Sequence, residues 1–257
     1  QHGAIYVSIY SDPMKYHMRN KHYTYFNNEH GTETDHDVLI IGWDDNFPRS
    51  NFKPEPSRDG AWLVKNSWGT LRGNEDGYFW MSYDQHIWGG AAFIVEKANP
   101  RLMHYGYDYL GVCSNVNYSW GANIFRAQSK KETLKEAAFY APHNDLSYEL
   151  YVYNLGYKIP YSPVNGSLVT STKGHVKLAG YYTINLPETV RLSRSQYFSV
   201  VVKFSGGYMP VETKIARYSE NAEVHELESY FSKDGSIWVD GVTLGSNACI
   251  KAFTITR

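Results

Sequence analysis

Residues 34–46 read TDHDVLIIGWDDN, and the nature of the chain turns on how they are read. Val38 to Trp43 form a short apolar run rich in β-branched and aromatic types, bounded on both sides by acidic residues. That is the mark of a buried strand, with His36 at its mouth. A second run, GAWLVK (60–65), has the same texture and is followed by Asn66, Ser67, Trp68 and Gly69. His36 and Asn66 stand 30 positions apart. If the two runs pair as neighbouring strands, both side chains reach the same end of a sheet. A side-chain amide beside an imidazole accepts its N–H and holds the ring in one tautomer and orientation. An indole at Trp68 would roof that bond against water. A histidine at a strand mouth is by itself more often structural; the conjunction with Asn66, Ser67, Trp68 and Gly69 is what points to catalysis.

Working outward, GAIYVSIY (3–10), GYFWMSY (77–83) and AAFIVEK (91–97) are further strand-like runs. No amphipathic helix separates them, so the predicted sheet is mainly antiparallel and closed or strongly curled. The segment NFPRSNFKPEPSRDG (46–60) carries three prolines and reads as an exposed excursion. ANPRLMH, residues 98–104, reads as a linker. Beyond it short strands recur: ANIFRAQ, LKEAAFYA, LSYELYVYN, GYYTINL, QYFSVVVKF, VETKIARY, SIWV and ACIKAFTIT. In SYELYVY, Tyr148, Leu150 and Val152 fall on one face and Glu149 and Tyr151 on the other. The expected architecture is therefore mainly β: a barrel-like antiparallel sheet over residues 1–97, then a β-sandwich of jelly-roll type over residues 105–257.

Composition agrees and excludes several classes. The 257 residues are 42% hydrophobic and 20% charged, a globular balance. A formal net charge of −1 leaves no footprint for nucleic acid. No apolar run is long enough to span a membrane. Aromatic content is 16%, with 23 tyrosines, which fits a chain dominated by strands. The chain opens at Gln1 directly ahead of a core strand, and that start is read as a cut.

Taken together, DHDVLIIGWDD, GAWLVKNSWGT and GYFWMSY resemble the carboxy-terminal half of papain-like cysteine peptidases, whose pattern there is a His opening a V-x-x-x-G strand and then K-N-S-W-G-T. The likeness covers about residues 3–97. It implies that His36 is the catalytic base and acid, that Asn66 orients it, and that Trp68 shields the His–Asn bond and lines the leaving-group side of the cleft. It also places Ser8 at the wall of the main specificity pocket and Asp35 at the cleft border. Three departures stand out. Asp37 replaces a small apolar residue and puts a carboxylate beside the histidine, a neighbour expected to raise its pKa. Arg72 replaces a tryptophan, and GNEDGY is one residue longer than the common form. From Tyr105 onward the chain is similar to the lectin-like domain that follows the peptidase in surface-associated cysteine peptidases of clostridium-type bacteria. YGYDYLG, GANIFRA, QYFSVVVKF and NACIKAFT carry that likeness. It implies an extracellular or cell-surface location, contact with cell-wall or host glycan, and a structural calcium ion in the sandwich whose ligands sequence does not name. Trp120, Trp238 and the tyrosines read first as core, with a sugar-stacking platform as the alternative.

A papain-like mechanism needs a thiolate. The two cysteines, Cys113 and Cys249, both follow the motif and match no family position. They either pair with each other or stay separate buried thiols. His36 is thus expected to serve a cysteine on an upstream Cys-bearing half, acting on a peptide or protein substrate with no cofactor. The competing reading is a non-catalytic binding protein that carries a peptidase remnant; a Ser- or Asp-based hydrolase lacks a recognisable elbow or dyad. His17, His22 and His30 lie in a polar stretch that reads as a loop near His36; they match no metal-ligand spacing and read as surface histidines. Asn117 and Asn165 each begin an N-x-Ser sequon.

Overall fold

The computed structural model describes residues 3–27, 29, 33–70, 76–93 and 97–256. The chain forms two units, Gln1–Ala98 and Asn99–Arg257. In the first, alternating side chains become strands β1 (Ile5–Ile9), β2 (Tyr16–Arg19), β3 (His22–Tyr25), β4 (His36–Asp44), β5 (Ala61–Lys65), β6 (Tyr78–Ser82) and β7 (Trp88–Ala92). They make a seven-stranded sheet in the order β2-β3-β6-β5-β4-β1-β7. Its pairings are antiparallel except for β3 with β6. Register explains the core. Val7 stands opposite Val38, Ile40 opposite Val64, and Val64 opposite Phe79. These residues, with Ile9, Tyr16, Tyr25 and Met81, bury one face of the sheet.

Two expectations fail here for physical reasons. Residues 16–25 form a hairpin, although their polar composition reads as loop. Asn20 and Lys21 take left-handed conformations (φ 49° and 69°), the backbone that a two-residue hairpin turn requires. The strands they join bury Tyr16, Thr24 and Tyr25. The proline-bearing segment is not simply an exposed excursion either. Phe47 and Phe52 are buried with Phe26 and Ala61, and Trp80 packs against them. Buried Asn51 ties the segment to the hairpin: its Oδ1 accepts from Asn20 Nδ2 at 2.6 Å, and its carbonyl accepts from Thr24 Oγ1 at 3.0 Å.

The second unit comprises β8 (Leu102–Tyr105), β9 (Ser114–Val116), β10 (Trp120–Arg126), β11 (Glu132–Ala141), β12 (Leu146–Gly156), β13 (Ser167–Val176), β14 (Gly180–Leu192), β15 (Tyr197–Phe204), β16 (Met209–Thr213), β17 (Ser229–Ser232), β18 (Val239–Asp240), β19 (Ser246–Ala248) and β20 (Ile250–Thr256), with one short helix, Gly241–Leu244. A six-stranded sheet (β13-β12-β15-β10-β17-β18) and a four-stranded sheet (β14-β11-β20-β8) share one core, and a three-stranded sheet (β19-β16-β9) joins them. Phe125, Leu150, Val200 and Val202 enter that core from the first sheet, and Leu134, Phe139, Ile250 and Ala252 from the second. The β-sandwich expected from the strand spacing is what forms. Residues 102–104, read as linker, instead extend a strand that pairs with β20. VETKIARY is strand only to Thr213 and then turns, and of SIWV only Val239 is strand. β13 was not foreseen because it is a polar edge strand, with only Thr170 and Val176 buried.

The anchoring of residues 46–60 is measurable. Phe52→Ala should destabilise the chain by about 3–5 kcal/mol in urea unfolding, the ordinary cost of emptying a buried aromatic site, whereas an exposed excursion would lose next to nothing.

Candidate active site

His36 is the first residue of β4, and Asn66 follows the last residue of β5. With Leu39 paired to Lys65, the antiparallel ladder brings the mouth of β4 beside the segment leaving β5. Both residues lie at one end of the face whose interior is Val38, Ile40 and Val64. His36 Nε2 and Asn66 Oδ1 are 2.8 Å apart. The backbone N–H of Ser67 donates to the same Oδ1 at 2.8 Å. A backbone N–H can only donate, so this second bond identifies the amide oxygen and forbids the flipped amide. His36 Nε2 must then carry its proton, and in the neutral ring Nδ1 is left as the unprotonated base. Trp68 stacks on the imidazole with centroids 4.9 Å apart and planes 24° from parallel. Beneath Trp68 lies Tyr16, whose ring centroid is 5.3 Å away, in contact in turn with Tyr25 and Phe79. The ring base is thus clamped between an amide and an indole, and the indole rests on the core.

The neighbouring carboxylates are spoken for. Asp37 points to the other face of the sheet, where it pairs with Ser8 across β1 and β4 and accepts from its hydroxyl at 2.6 Å. The expectation that Asp37 acts on the histidine therefore does not hold as a direct contact. Alternation along the strand turns adjacent side chains to opposite faces. Asp35 accepts from the Ser11 backbone N–H at 2.7 Å, and its own N–H donates to Ile9 carbonyl at 3.1 Å. Ser8 and Asp35 both lie near His36 along the chain pairing, since Ile9 stands opposite His36. A cavity of about 240 Å³ is lined by Tyr6, Asp37, Val38, Leu39, Lys65, Asn66 and Ser67; Ser8 and Asp35 are not part of its wall. Sequence reasoning placed Ser67 in the motif but gave its backbone N–H no role, because a main-chain donor has no residue-type signal. It missed Tyr16 altogether, because residues 16–25 were not read as strand.

Of the other histidines, His17 sits in β2, and His22 in β3 packs edge-on against Phe47 and Trp80. His30 and Arg72 lie outside the described residues, as does part of GNEDGY. Among the described residues no three His, Cys, Asp or Glu side chains converge on a metal position. A hard cation would need amide and carbonyl oxygens as well, and one place in the second unit offers them. Buried Asn247 has its Nδ2 within 3.2 Å of Tyr107 carbonyl, 3.0 Å of Glu212 Oε2 and 2.7 Å of Glu223 carbonyl, while its Oδ1 is buried without a partner. Three oxygens meet there, and turning the amide would bring a fourth: an all-oxygen donor set of the kind calcium takes. Cys113 and Cys249 are free thiols. Burial pushes the Cys249 thiol well above its ordinary pKa, so it is a poor nucleophile. Trp120 and Trp238 are half-buried, and Trp120 packs on both Trp238 and Tyr151, as the core reading expects.

Residues 104–254 match the family described as "Lectin like domain", and residues 1–97 match "Papain family cysteine protease". Two solved structures share the fold along the whole chain. One is the cysteine protease and lectin-like domains of Cwp84, a surface layer associated protein of Clostridium difficile, at 24% identity and a TM-score of 0.76. The other is a cysteine-to-alanine variant of clostridial cysteine protease Cwp84 after propeptide cleavage, at 25% identity and a TM-score of 0.78. Each is covered over 100% of this chain, which spans 59% and 66% of those two chains. No curated protein sequence matches significantly.

The hydrogen-bond logic at His36 makes a spectroscopic prediction. Imidazole nitrogen chemical shifts should show His36 as one neutral tautomer, protonated at Nε2. Asn66→Ala should produce a mixture of tautomers, and an unchanged spectrum would mean that the amide does not set the ring.

Proposed function

The chain belongs to the lectin-like domain family, carried behind a papain-family cysteine protease segment, and from that premise we propose that its first unit supplies the base and orienter of a cysteine peptidase. The observation that carries the reading is the His36–Asn66 bond, with its amide locked by Ser67 and its ring covered by Trp68. In this reading Nδ1 of His36 takes the proton of a thiol. The resulting imidazolium stabilises the thiolate, and later returns the proton to the leaving amine. Asn66 keeps the ring from rotating as the charge appears, and Trp68 keeps water off the bond. Residues 1–98 contain no cysteine, so the thiol comes from a polypeptide segment other than this one. The substrate is a peptide or protein. The surface-layer association named for one of the similar structures supports a cell-surface location for this chain too.

We further propose that calcium is held by Glu212, Asn247 and the carbonyls of Tyr107 and Glu223. It would offset the buried Glu212 charge and tie β16 and β19 to the segments bearing those carbonyls. The cluster stands in the second unit and has no part in the proton transfers.

Kinetics with the Cys-bearing segment supplied test the peptidase reading. His36→Ala should abolish turnover. Asn66→Ala and Trp68→Ala should lower kcat by about 10- to 100-fold with KM nearly unchanged, because neither side chain is asked to hold substrate. Turnover by residues 1–257 alone would overturn the proposal.

The calcium proposal has its own readout. Millimolar calcium should raise the thermal midpoint by several degrees over a chelator control, on the order expected when a ligand binds only the folded state. Glu212→Gln should remove that difference, and a midpoint indifferent to calcium would remove the proposal.

A further inference from the structure

Tyr16 and Tyr25 stand opposite each other in the β2–β3 hairpin, and both are buried. Their ring centroids are 4.4 Å apart, and Tyr16 also meets Phe79 edge-on at 5.3 Å. Apolar packing accounts for the rings but not for the hydroxyls, which phenylalanine would not carry. Both hydroxyls reach one short segment, Tyr10–Asp12, just past the end of β1. The Tyr25 hydroxyl donates to the Tyr10 carbonyl at 2.5 Å and accepts from the Asp12 N–H at 3.3 Å. The Tyr16 hydroxyl lies 3.2 Å from Ser11 Oγ. Burial pushes both phenols above their usual pKa, so each stays neutral and able to donate.

Ser11 is held from the other side as well. Its backbone N–H donates to Asp35 Oδ1 at 2.7 Å, and the Asp35 N–H donates to the Ile9 carbonyl at 3.1 Å. Asp35 directly precedes His36, so the contacts close into a circuit. They run from Asp35 to Ser11, from Ser11 to the Tyr16 hydroxyl, and from the Tyr16 ring to Trp68 at 5.3 Å. Trp68 then returns to the imidazole at 4.9 Å. The links differ in kind. Burial of the Tyr16 ring against its apolar neighbours is non-directional and tolerates a small slide. The hydroxyl bond is directional and fixes the far end of the ring. Without it the core stays filled, but the surface beneath the indole is free to shift.

We infer that Tyr16 is a positioning residue for the base: its hydroxyl, held on Ser11, fixes the surface on which Trp68 lies over His36. Tyr25 plays a supporting part, because its two bonds hold the backbone on either side of Ser11 and so present that hydroxyl from a fixed turn. Tyr16 reaches the imidazole only through the indole, so it has no share in the proton transfers themselves. This role rests on His36 being the base of a cysteine peptidase. The geometry behind it, however, exists in this chain without the thiol and is measurable there.

Proton spectra of the imidazole in the full chain decide it. A ring lying on an indole has its carbon-bound protons moved upfield by the indole ring current, so their position reads the stack directly. Tyr16→Phe and Ser11→Ala should each move the His36 Cε1 and Cδ2 protons downfield, towards their positions in Trp68→Ala. The double variant should move them no further than either single one, because both substitutions remove the same bond. With the Cys-bearing segment supplied, each single variant should lower kcat by about 3- to 10-fold with KM held, the size of one hydrogen bond. Ser11 is only half-buried, so Ser11→Ala carries the test if Tyr16→Phe loses the fold. Imidazole protons left in place by the single variants, whatever happens to the thermal midpoint, would overturn the inference, as would additive shifts in the double. A wild-type chain without turnover when the Cys-bearing segment is present would sink the peptidase reading instead, and the imidazole shifts would still decide the geometry.

Discussion

The register of β4 against β5 is the constraint on which the site depends. Because the pair runs antiparallel, the start of one strand meets the end of the other, and two residues 30 positions apart come within one hydrogen bond. A one-residue slip would turn every side chain of β4 to the opposite face. His36 would then leave Asn66, and Val38 and Ile40 would leave the core. The same burial that stabilises the sheet thus also sets the His36–Asn66 geometry. Asn66 carries a cost in return: its Nδ2 is buried without a partner, a penalty on the order of 1–3 kcal/mol. The surrounding contacts, Ser67 on the amide and Trp68 over the ring, hold it there regardless.

That two-face logic also sorts the acidic residues. Asp35, His36 and Asp37 are consecutive, and only the middle one reaches Asn66 and the indole. Asp37 crosses to Ser8, and Asp35 caps the backbone at Ser11. The cavity beside them belongs to the Asp37 face and reaches Asn66 and Ser67 at the strand end. Strand geometry therefore gives both flanking carboxylates partners other than the imidazole, although all three residues are consecutive.

In the second unit polar groups serve as structural ties and as surface chemistry. Fully buried Asn123 donates to the carbonyls of Ala248 and Ile250 and accepts from Ser229, linking the six-stranded sheet to the strands that lead into β20. Glu132, also buried, accepts from the Tyr105 and Thr254 hydroxyls and the backbone of Gln128. These groups are matched and closed. The contrast is with Asn247, whose Oδ1 is buried without a protein partner, and it is there that calcium is proposed.

By itself the sequence determined the strand texture, the sandwich and the pairing of His36 with Asn66. Apolar alternation is local, and the K-N-S-W-G run states its chemistry in adjacent letters. It also showed that no cysteine stands among residues 1–98. Tertiary structure alone decided the rest. The tautomer of His36 depends on a backbone N–H at Ser67, which no residue type announces. The direction of Asp37 depends on which face the pleat gives it. Phe47 and Phe52 lie in a segment whose prolines signal a loop, and only packing against Phe26 and Trp80 shows that it is anchored. The hairpin at residues 16–25 is polar outside and aromatic inside, so its identity appears only once a sheet exists to bury one side. Lysines look alike in a sequence: only the register of β12 against β15 gives Lys203 a direct carboxylate partner in Glu149 and a place over the Trp120 ring.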